Sequence, residues 1–322
     1  MNLRALIRPR ALVYAVLLIL LAIAPLLTDL TGKPFMLDVL SRTLVLAIAV
    51  VSLNLILGFG GMVSLGHAAY LGIGAYSVGI ASYYDLYQGW LHIAIALTSS
   101  GLFALVTGAI SLRTRGVYFI MITMAFSQMA YFALVSLEAY GADDGLVIYG
   151  RSEFPGWLSM QDSRGLYYWI LGILLAALLF NWRLLNARFG RVLFGAMHND
   201  ARMQALGFST YRYRLAAYVI SAMMCSLAGV LFGNFNGFIS PDIMTWTRSA
   251  ELIFMLIVGG VGSIFGPLAG TLVFVLLEEW LSTLWTYWHL PFGLLLIALV
   301  LAGKGGIDDW LKRLERVRRR NG

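Results

Sequence analysis

Long apolar runs, separated by short polar or glycine-rich breaks, recur along the whole of this chain. A run of about 20 apolar residues can cross the roughly 30 Å hydrocarbon core of a bilayer as an α-helix. The runs therefore predict membrane-spanning helices. Glycine clusters leave the third and eighth open to being broken or re-entrant helices, which gives a range of about eight to ten spans. The ten predicted spans are residues 11–28, 36–58, 66–84, 91–112, 117–137, 166–182, 214–236, 250–264, 267–287 and 290–303.

Composition excludes an ordinary soluble protein. The chain is 60% hydrophobic and 12% charged, whereas about a quarter of the residues in a soluble domain are charged. We therefore predict an all-α integral membrane protein, a polytopic helical bundle in which residues 1–322 form a single transmembrane domain. The single cysteine, Cys225, lies in an apolar run and is expected to pack as a small hydrophobic residue.

The N-terminal sequence allows two interpretations. Basic residues precede an apolar run over 11–27, as in a secretory signal peptide. However, the run is long for a signal peptide, and the small-residue site at Ala22 and Ala24 is followed by Pro25. These features favour an uncleaved first span.

Basic residues predict the orientation of the chain. They cluster at Arg4–Arg10, at Arg113–Arg115, within 183–214 and in the tail 304–322, while the loop 138–165 is mainly acidic. With ten spans, all four basic clusters fall on one side of the membrane, which the positive-inside rule makes cytoplasmic. Both termini are therefore predicted to be cytoplasmic, and 138–165 is an outer loop. Membrane lipid explains the basic tail better than nucleic acid, so no nucleic-acid partner is expected.

The polar segment 183–214 predicts one short helix between two spans. Met197, Met203 and Leu206 have helical spacing, and Asp200 is placed to favour a helix N-terminus. Gly207 suits the left-handed residue that ends a helix. Spacing alone leaves open whether this helix is a connector on the lipid surface or a docking element.

Several sequence blocks, in order along the chain, resemble one family. These blocks are LNLILGFGGMVSLGHAAYLGIGAY at 53–76, RGVYFIMITMAFSQ at 115–128, the segment 190–233, ISP at 239–241 and VGGVGSIFGPLAG at 258–270. They resemble LivM-type permeases, the branched-chain amino acid family of ABC importers. Two segments depart from the family pattern. The outer loop has Gly141–Gly145 in place of a turn with threonine, two glycines and aspartates, and His198–Asp200 stands where many members carry a glutamate or an acidic pair.

The resemblance implies a multisubunit transporter whose permease subunits have the type II ABC importer architecture. This chain would be a permease subunit that translocates a branched-chain amino acid or a related amino acid, amide or organic acid. The implied partners are a second, homologous permease subunit, two ATP-binding subunits and an external solute-binding protein. The implied location is a bacterial or archaeal plasma membrane. No Walker A motif occurs, since Gly303-Lys304 lacks the upstream glycine. Neither enzyme activity nor a cofactor is therefore expected of this chain.

The resemblance also assigns a coupling role to the short helix in 183–214. We expect it to insert into a cleft on the ATP-binding subunits, with nearby arginines steering the encounter. The predicted coupling residues are Asn199, Asp200, Ala201, Arg202, Ala205, Leu206 and Gly207.

Polar and glycine residues at membrane depth are candidates for the transport pathway. Glycines allow close helix packing, or expose backbone groups where a helix breaks at a cavity. For His67, a hydrogen bond that joins two helices is favoured over a substrate or proton site. Glu278 and Glu279 are candidate intramembrane groups, but the aromatic residues that follow favour a place near the outer interface. The pathway candidates are Asn54, Gly60, Gly61, Ser64, Gly66, His67, Gln128, Asn234, Asn236, Gly259, Gly260 and Ser263.

Two other classes of function compete with an importer subunit. An ion-coupled secondary transporter would need ionisable groups near the midplane, and such groups are scarce in these apolar runs. A membrane enzyme would need a cluster of catalytic residues, and no nucleophile motif or metal-ligand spacing is present in the sequence.

Overall fold

The computed structural model describes residues 9–32, 34–154, 160–284, 286–302 and 305–310. Helices account for most of these ranges. They are α1 (Pro9–Thr31), α2 (Pro34–Leu57), α3 (His67–Tyr83), α4 (Gly89–Ser111), α5 (Val117–Val135), α6 (Ser163–Asn186), α7 (Arg188–His198), α8 (Asp200–Ala205), α9 (Thr210–Asn236), α10 (Trp246–Gly259), α11 (Gly266–Leu284) and α12 (His289–Ala302). Two short strands, β1 (Leu146–Val147) and β2 (Phe238–Ile239), and 3₁₀ turns at Glu138–Tyr140 and Pro241–Met244 complete the elements.

The predicted class, a polytopic all-α membrane protein, is confirmed. Six helices in the described residues are long and apolar enough to cross a membrane, namely α2, α4, α5, α6, α9 and α11. A helix lies at each of the ten predicted positions. The eighth differs in its bounds. The prediction was 250–264, whereas α10 covers Trp246–Gly259 and stops because Gly260, with φ of 110°, leaves the helical region.

The centre of the bundle is formed by α2, α3 and α9. Of the candidate spans, α2 is the most enclosed, with 83% of its apolar window buried. Helices α3 and α9 pack with their backbones almost in contact. A Cβ on Gly74 would collide with the Ser226 carbonyl, and one on Gly229 would collide with the Leu71 carbonyl. Small residues therefore let these two helices approach without an intervening layer of side chains.

The bundle has two ends, which we call basal and apical. The basal end carries α7 and α8, and the apical end carries the β1–β2 pair. Helix α2 runs from apical to basal, since Gly61, four residues after its end, lies against Met197 of α7. The start of α1 is also basal, because the Tyr14 hydroxyl donates to Asp308, 3.0 Å away, in the short segment 305–310. The rest of the predicted basic tail, 304 and 311–322, lies outside the described residues.

The predicted outer loop 138–165 is attached to the apical end. Strand β1 pairs antiparallel with β2, so the loop is bonded to the segment that follows α9. The Gly89 N–H donates to the Glu153 carbonyl over 2.8 Å and anchors the same loop at the start of α4. The last residues of the predicted loop, from Ser163, belong to α6. Residues 155–159 lie outside the described ranges.

The predicted segment 183–214 contains two helices rather than one. Its first residues form the last turn of α6, α7 and α8 follow, and α9 begins at Thr210. Helix α7 was missed because Gly190 and Gly195 lower the helix propensity of an already short stretch. Packing compensates for that weakness. Val192, Leu193 and Ala196 are buried against the bundle.

Candidate functional site

Helix α8 forms where the spacing predicted it, between a cap and a glycine. Asn199 has an extended backbone, and its side chain accepts a hydrogen bond from the Arg202 N–H at 2.9 Å, which caps the first turn. Asp200 is the first helical residue. Leu206 follows the last turn, and Gly207 has φ of 86°, which ends the helix in the left-handed conformation.

Asp200 connects α8 to two membrane helices. Its carboxylate forms an ion pair with Arg115, which precedes α5, and a second with Arg214 in the second turn of α9, at 3.5 Å. The Arg214 guanidinium also donates to the Ala196 carbonyl in α7, at 2.9 Å. Asp200 is thus directed into the protein, and α7, α8 and α9 share one network of charges and hydrogen bonds.

This network favours the ionised form of Asp200. Partial burial opposes ionisation, but a hydrogen bond from Thr210 and the charges of Arg214 and Arg115 outweigh it, so the pKa of Asp200 lies below its ordinary value. The carboxylate is therefore charged at neutral pH, and it keeps both ion pairs.

The opposite face of the α7–α8 segment is exposed and partly apolar. Ala201, Arg202 and Ala205 point away from the bundle, and Leu206 is 66% exposed. Phe194 in α7 adds a half-exposed ring to the same segment. Exposed apolar residues grouped at a polar end of a membrane protein are typical of a protein contact.

The two glycine-rich breaks predicted from the sequence meet at the basal end. The Asn54 amide donates to the Ser263 carbonyl at 2.7 Å and accepts from the Gly262 N–H at 3.0 Å, so it joins the end of α2 to the loop after α10. Gly259 ends α10, and Gly260 begins that loop. The structure therefore brings together Asn54, Ser263, Gly259 and Gly260. We call this contact the Asn54 clamp, because both the nitrogen and the oxygen of the Asn54 amide form hydrogen bonds in it.

The first glycine-rich break, residues 58–61 after α2, lies beside the α7–α8 segment. Gly61 has φ of 67°, and a Cβ there would press on Met197 of α7. Gly60 and Gly61 line a cavity of about 340 Å³ that also contacts Arg115 and Arg214, the partners of Asp200. The predicted pathway glycines and the predicted coupling helix are thus neighbours.

His67 joins helices, as the favoured interpretation held. Its Nε2 lies 2.8 Å from the Ser221 hydroxyl, which donates to the Ser52 carbonyl, so the imidazole is the donor to Ser221. Ser64 accepts from the Gly66 N–H at 3.2 Å just before it. His67 is fully buried and connects α3 through α9 to α2.

The remaining pathway candidates are dispersed. Asn234 accepts from the Ser152 N–H at 2.6 Å and so fixes the apical loop. Asn236 donates to the Phe238 carbonyl at 2.8 Å and lines an apical cavity. Gln128 is half-buried on α5, away from both groups. The pathway role of these residues stays a prediction.

Most of the charged lining of that apical cavity was absent from the sequence-based candidates. Arg42 of α2 donates to Glu278 of α11 at 3.0 Å, and Arg248 pairs with Glu251 within α10 at 2.9 Å. Asp242 lies on the same cavity. Only Glu278 had been singled out. The signal for Arg42 was a charge inside a predicted span, four residues after Asp38, because a charge within a span by default indicates a functional site.

These features together define a membrane transport protein, a polytopic helical bundle with small-residue packing, broken helices at the basal end and, beside them, a short helical segment with an exposed, partly apolar face. The family model described as "Branched-chain amino acid transport system / permease component" matches residues 35–301. The chain belongs to this family, as the resemblance predicted.

Individual relatives agree with the family. The chain is 27% identical over 311 residues to the high-affinity branched-chain amino acid transport system permease protein LivM of Escherichia coli K12, covering 87% of this chain and 73% of the relative. It is 33% identical over 92 residues to the permease protein LivH of the same organism, covering 29% and 30%. The fructose import permease protein FrcC of Rhizobium meliloti is 28% identical over 157 residues, covering 45% and 41%. No solved structure gives a significant match.

Proposed function

We propose that this chain is a permease subunit of an ABC importer and that it carries a branched-chain or related amino acid inward across a plasma membrane. Two separate ATP-binding subunits supply the energy, and an external solute-binding protein delivers the cargo. A second permease subunit completes the pathway. Resemblance to both LivM and LivH supports pairing with a homologous but different chain.

The observation that carries this proposal is the two-sided construction of the α7–α8 segment. Its inner side is held to the bundle through Asp200, while its outer side presents Leu206 and Arg202 to whatever binds there. A lipid-surface connector needs an apolar stripe towards the bilayer, but it does not need an inward carboxylate that pairs with two helices. The arrangement therefore suits a docking element.

The same contacts provide a route for movement. A displacement of α8 acts on Arg115 at the start of α5 and on Arg214 in α9, while α7 rests against Gly61 in the break before α3. Docked ATP-binding subunits would thus pull on three membrane helices at once. In this arrangement the basal end faces the cytoplasm, where ATP is present, which agrees with the positive-inside orientation.

The proposal is tested with a charge placed on the docking face. We expect Leu206→Glu to abolish recovery of the ATP-binding subunits when this chain is purified from its own membrane in mild detergent, and to leave the second permease bound. Leu137→Glu is the matched control, because Leu137 is an exposed leucine at the apical end. It should recover every partner.

The competing function gives a different result. Recovery of the unmodified chain without any ATP-binding subunit, together with solute uptake that persists after ATP depletion, would contradict the importer and support an ion-coupled secondary transporter.

A further inference from the structure

The cavity that Gly60 and Gly61 line at the basal end, here called the basal cavity, has the size of a small-molecule site. It measures about 340 Å³, within the roughly 300–1,000 Å³ of such sites. Its walls come from the break after α2, the loop between α4 and α5, the first turn of α5, Met197 near the end of α7 and Arg214 in α9. The basal cavity therefore lies where the α7–α8 segment meets the membrane helices.

Positive charge exceeds negative charge at this cavity. Arg115 and Arg214 line it, and both form ion pairs with the single carboxylate of Asp200, so one positive charge is left uncompensated. No carboxylate is among the described residues that line the cavity. The excess charge attracts an anion.

Both arginines keep hydrogen-bond donors for a ligand. A guanidinium group has five N–H donors. Arg115 uses its Nη2 for Asp200, and Arg214 uses its Nη2 for the Ala196 carbonyl. The Nε of Arg214 is buried and has no hydrogen-bond partner within the described part of the chain. Because a buried donor without a partner is destabilising, an acceptor placed beside Arg214 is favoured.

The start of α5 supports the same sign of charge. Gly116, which precedes α5, gives the helix no side-chain cap. The first N–H groups of a helix lack intrahelical partners and carry the positive end of the helix dipole. Gly116 and Phe119 line the cavity, so the helix dipole adds to the charge of the two arginines.

A phosphate group matches this set of donors. Guanidinium binds phosphate through two parallel hydrogen bonds, and the several oxygens of a phosphate can accept from two arginines at once. A membrane phospholipid can also reach the cavity, because α5 is the least buried of the six candidate spans. Val117 and Tyr118 are exposed beside the cavity. Basic pockets between membrane helices at the cytoplasmic side suit anionic lipid headgroups.

We propose that the basal cavity binds a phosphate group that Arg115 and Arg214 hold jointly, and that this phosphate links the loop before α5 to α9. An anionic phospholipid or a free phosphate ion can supply the group. The inference goes beyond the proposed transport function and does not depend on it.

The test follows thermal unfolding of the full-length chain in a phosphate-free detergent, by tryptophan fluorescence. Phosphatidylglycerol, phosphatidylcholine and inorganic phosphate are titrated separately at constant ionic strength. We expect phosphatidylglycerol or inorganic phosphate to raise the unfolding midpoint, and phosphatidylcholine, whose choline cancels the phosphate charge, to have no effect. A rise with phosphatidylglycerol alone assigns the site to a lipid headgroup, and a rise with inorganic phosphate assigns it to the free ion.

Variants place the effect in the cavity. Arg115→Gln should need about fivefold more ligand for half of the rise, as the loss of one largely exposed charge pair implies. Arg113→Gln is the matched control, because Arg113 is exposed in the same loop but does not line the cavity. Asp200→Asn should need less ligand than the unmodified chain, since it removes the carboxylate that competes for both arginines. Misfolding would not produce such a gain.

Three results would overturn the proposal. They are an unchanged midpoint with both phosphatidylglycerol and inorganic phosphate, an equal effect of phosphatidylcholine, and equal responses of Arg115→Gln and Arg113→Gln. The last result would show that the anion acts on the basic surface in general rather than in the basal cavity.

Discussion

Replacing Asp200 by asparagine tests how firmly α8 is attached to the membrane helices. The substitution keeps the shape of the side chain and one acceptor oxygen but removes the charge that pairs with Arg115 and Arg214. The Asn199 cap and Gly207, which define the ends of α8, are unaffected. The expected result is local release of α8, with the rest of the bundle intact.

The size of the effect follows from the exposure of the three side chains. Arg115 is 69% exposed, so its pair with Asp200 contributes at most about 1 kcal/mol. Arg214 and Asp200 are only 18% and 12% exposed, with the ion-paired nitrogen and oxygen 3.5 Å apart, and this second ion pair contributes about 1 kcal/mol, the upper end of the range for such pairs. Their sum, about 2 kcal/mol, corresponds to a roughly 30-fold larger population in which α8 is undocked.

Hydrogen–deuterium exchange with mass spectrometry measures that population. Peptides covering α8 should exchange roughly 30-fold faster in Asp200→Asn, while peptides from the centre of α9 should exchange at the rate of the unmodified chain. Asp144→Asn, an exposed apical carboxylate, is the matched control and should change neither region. In the importer proposed above, the variant should hydrolyse more ATP per solute transported, because that proposal makes α8 the element that moves α5 and α9.

Two outcomes would refute this reasoning. If α8 exchanges at the same rate in the variant, the ion pairs do not hold it. If exchange accelerates equally throughout the bundle, Asp200 stabilises the whole fold rather than one attachment.

Three further predictions concern stability. Because the pKa of Asp200 in the folded chain lies below its ordinary value of 3.8, α8 should keep its exchange protection as pH falls from neutral and lose it only below about pH 4; loss near pH 6 would contradict the assignment. Gly229→Ala should lower the midpoint of thermal unfolding strongly, because its Cβ would meet the Leu71 carbonyl, whereas Gly172→Ala, with open space around it, should not. Asn54→Ala should cost about 1–3 kcal/mol in denaturant unfolding, because it leaves the buried Ser263 carbonyl and the part-buried Gly262 N–H without their partner; an unchanged midpoint would show that the clamp is dispensable.

The sequence predicts the helices well because length and apolarity are local properties. Each predicted span has its helix, and α8 begins at Asp200 and is followed by a left-handed Gly207, as predicted, although the Asn199 cap was not foreseen. The errors occur where local signals conflict with packing. Helix α10 ends at Gly259, earlier than its apolar run suggested, and α7 forms despite two glycines because its apolar face is buried.

The contacts of the candidate site were less predictable because the residues that form them are far apart in the sequence. Asn54 and His67 were singled out from the sequence as polar groups in apolar surroundings, but the sequence does not show that they bond to residues more than 150 positions away. The apical cavity draws Arg42 and Glu278 from helices far apart in the chain. Only the rule that a charge within a span indicates function could have found Arg42 beforehand.

The contact between α3 and α9 has a consequence for biosynthesis. Helix α3 is short, rich in glycine and absent from the six helices that are long and apolar enough to span a membrane unaided. Its backbone partner, α9, ends about 150 residues later, which a ribosome makes in roughly 10–30 s. During that interval α3 lacks the surface against which its glycines pack. We therefore expect α3 to be stably packed in the membrane only after α9 has been made.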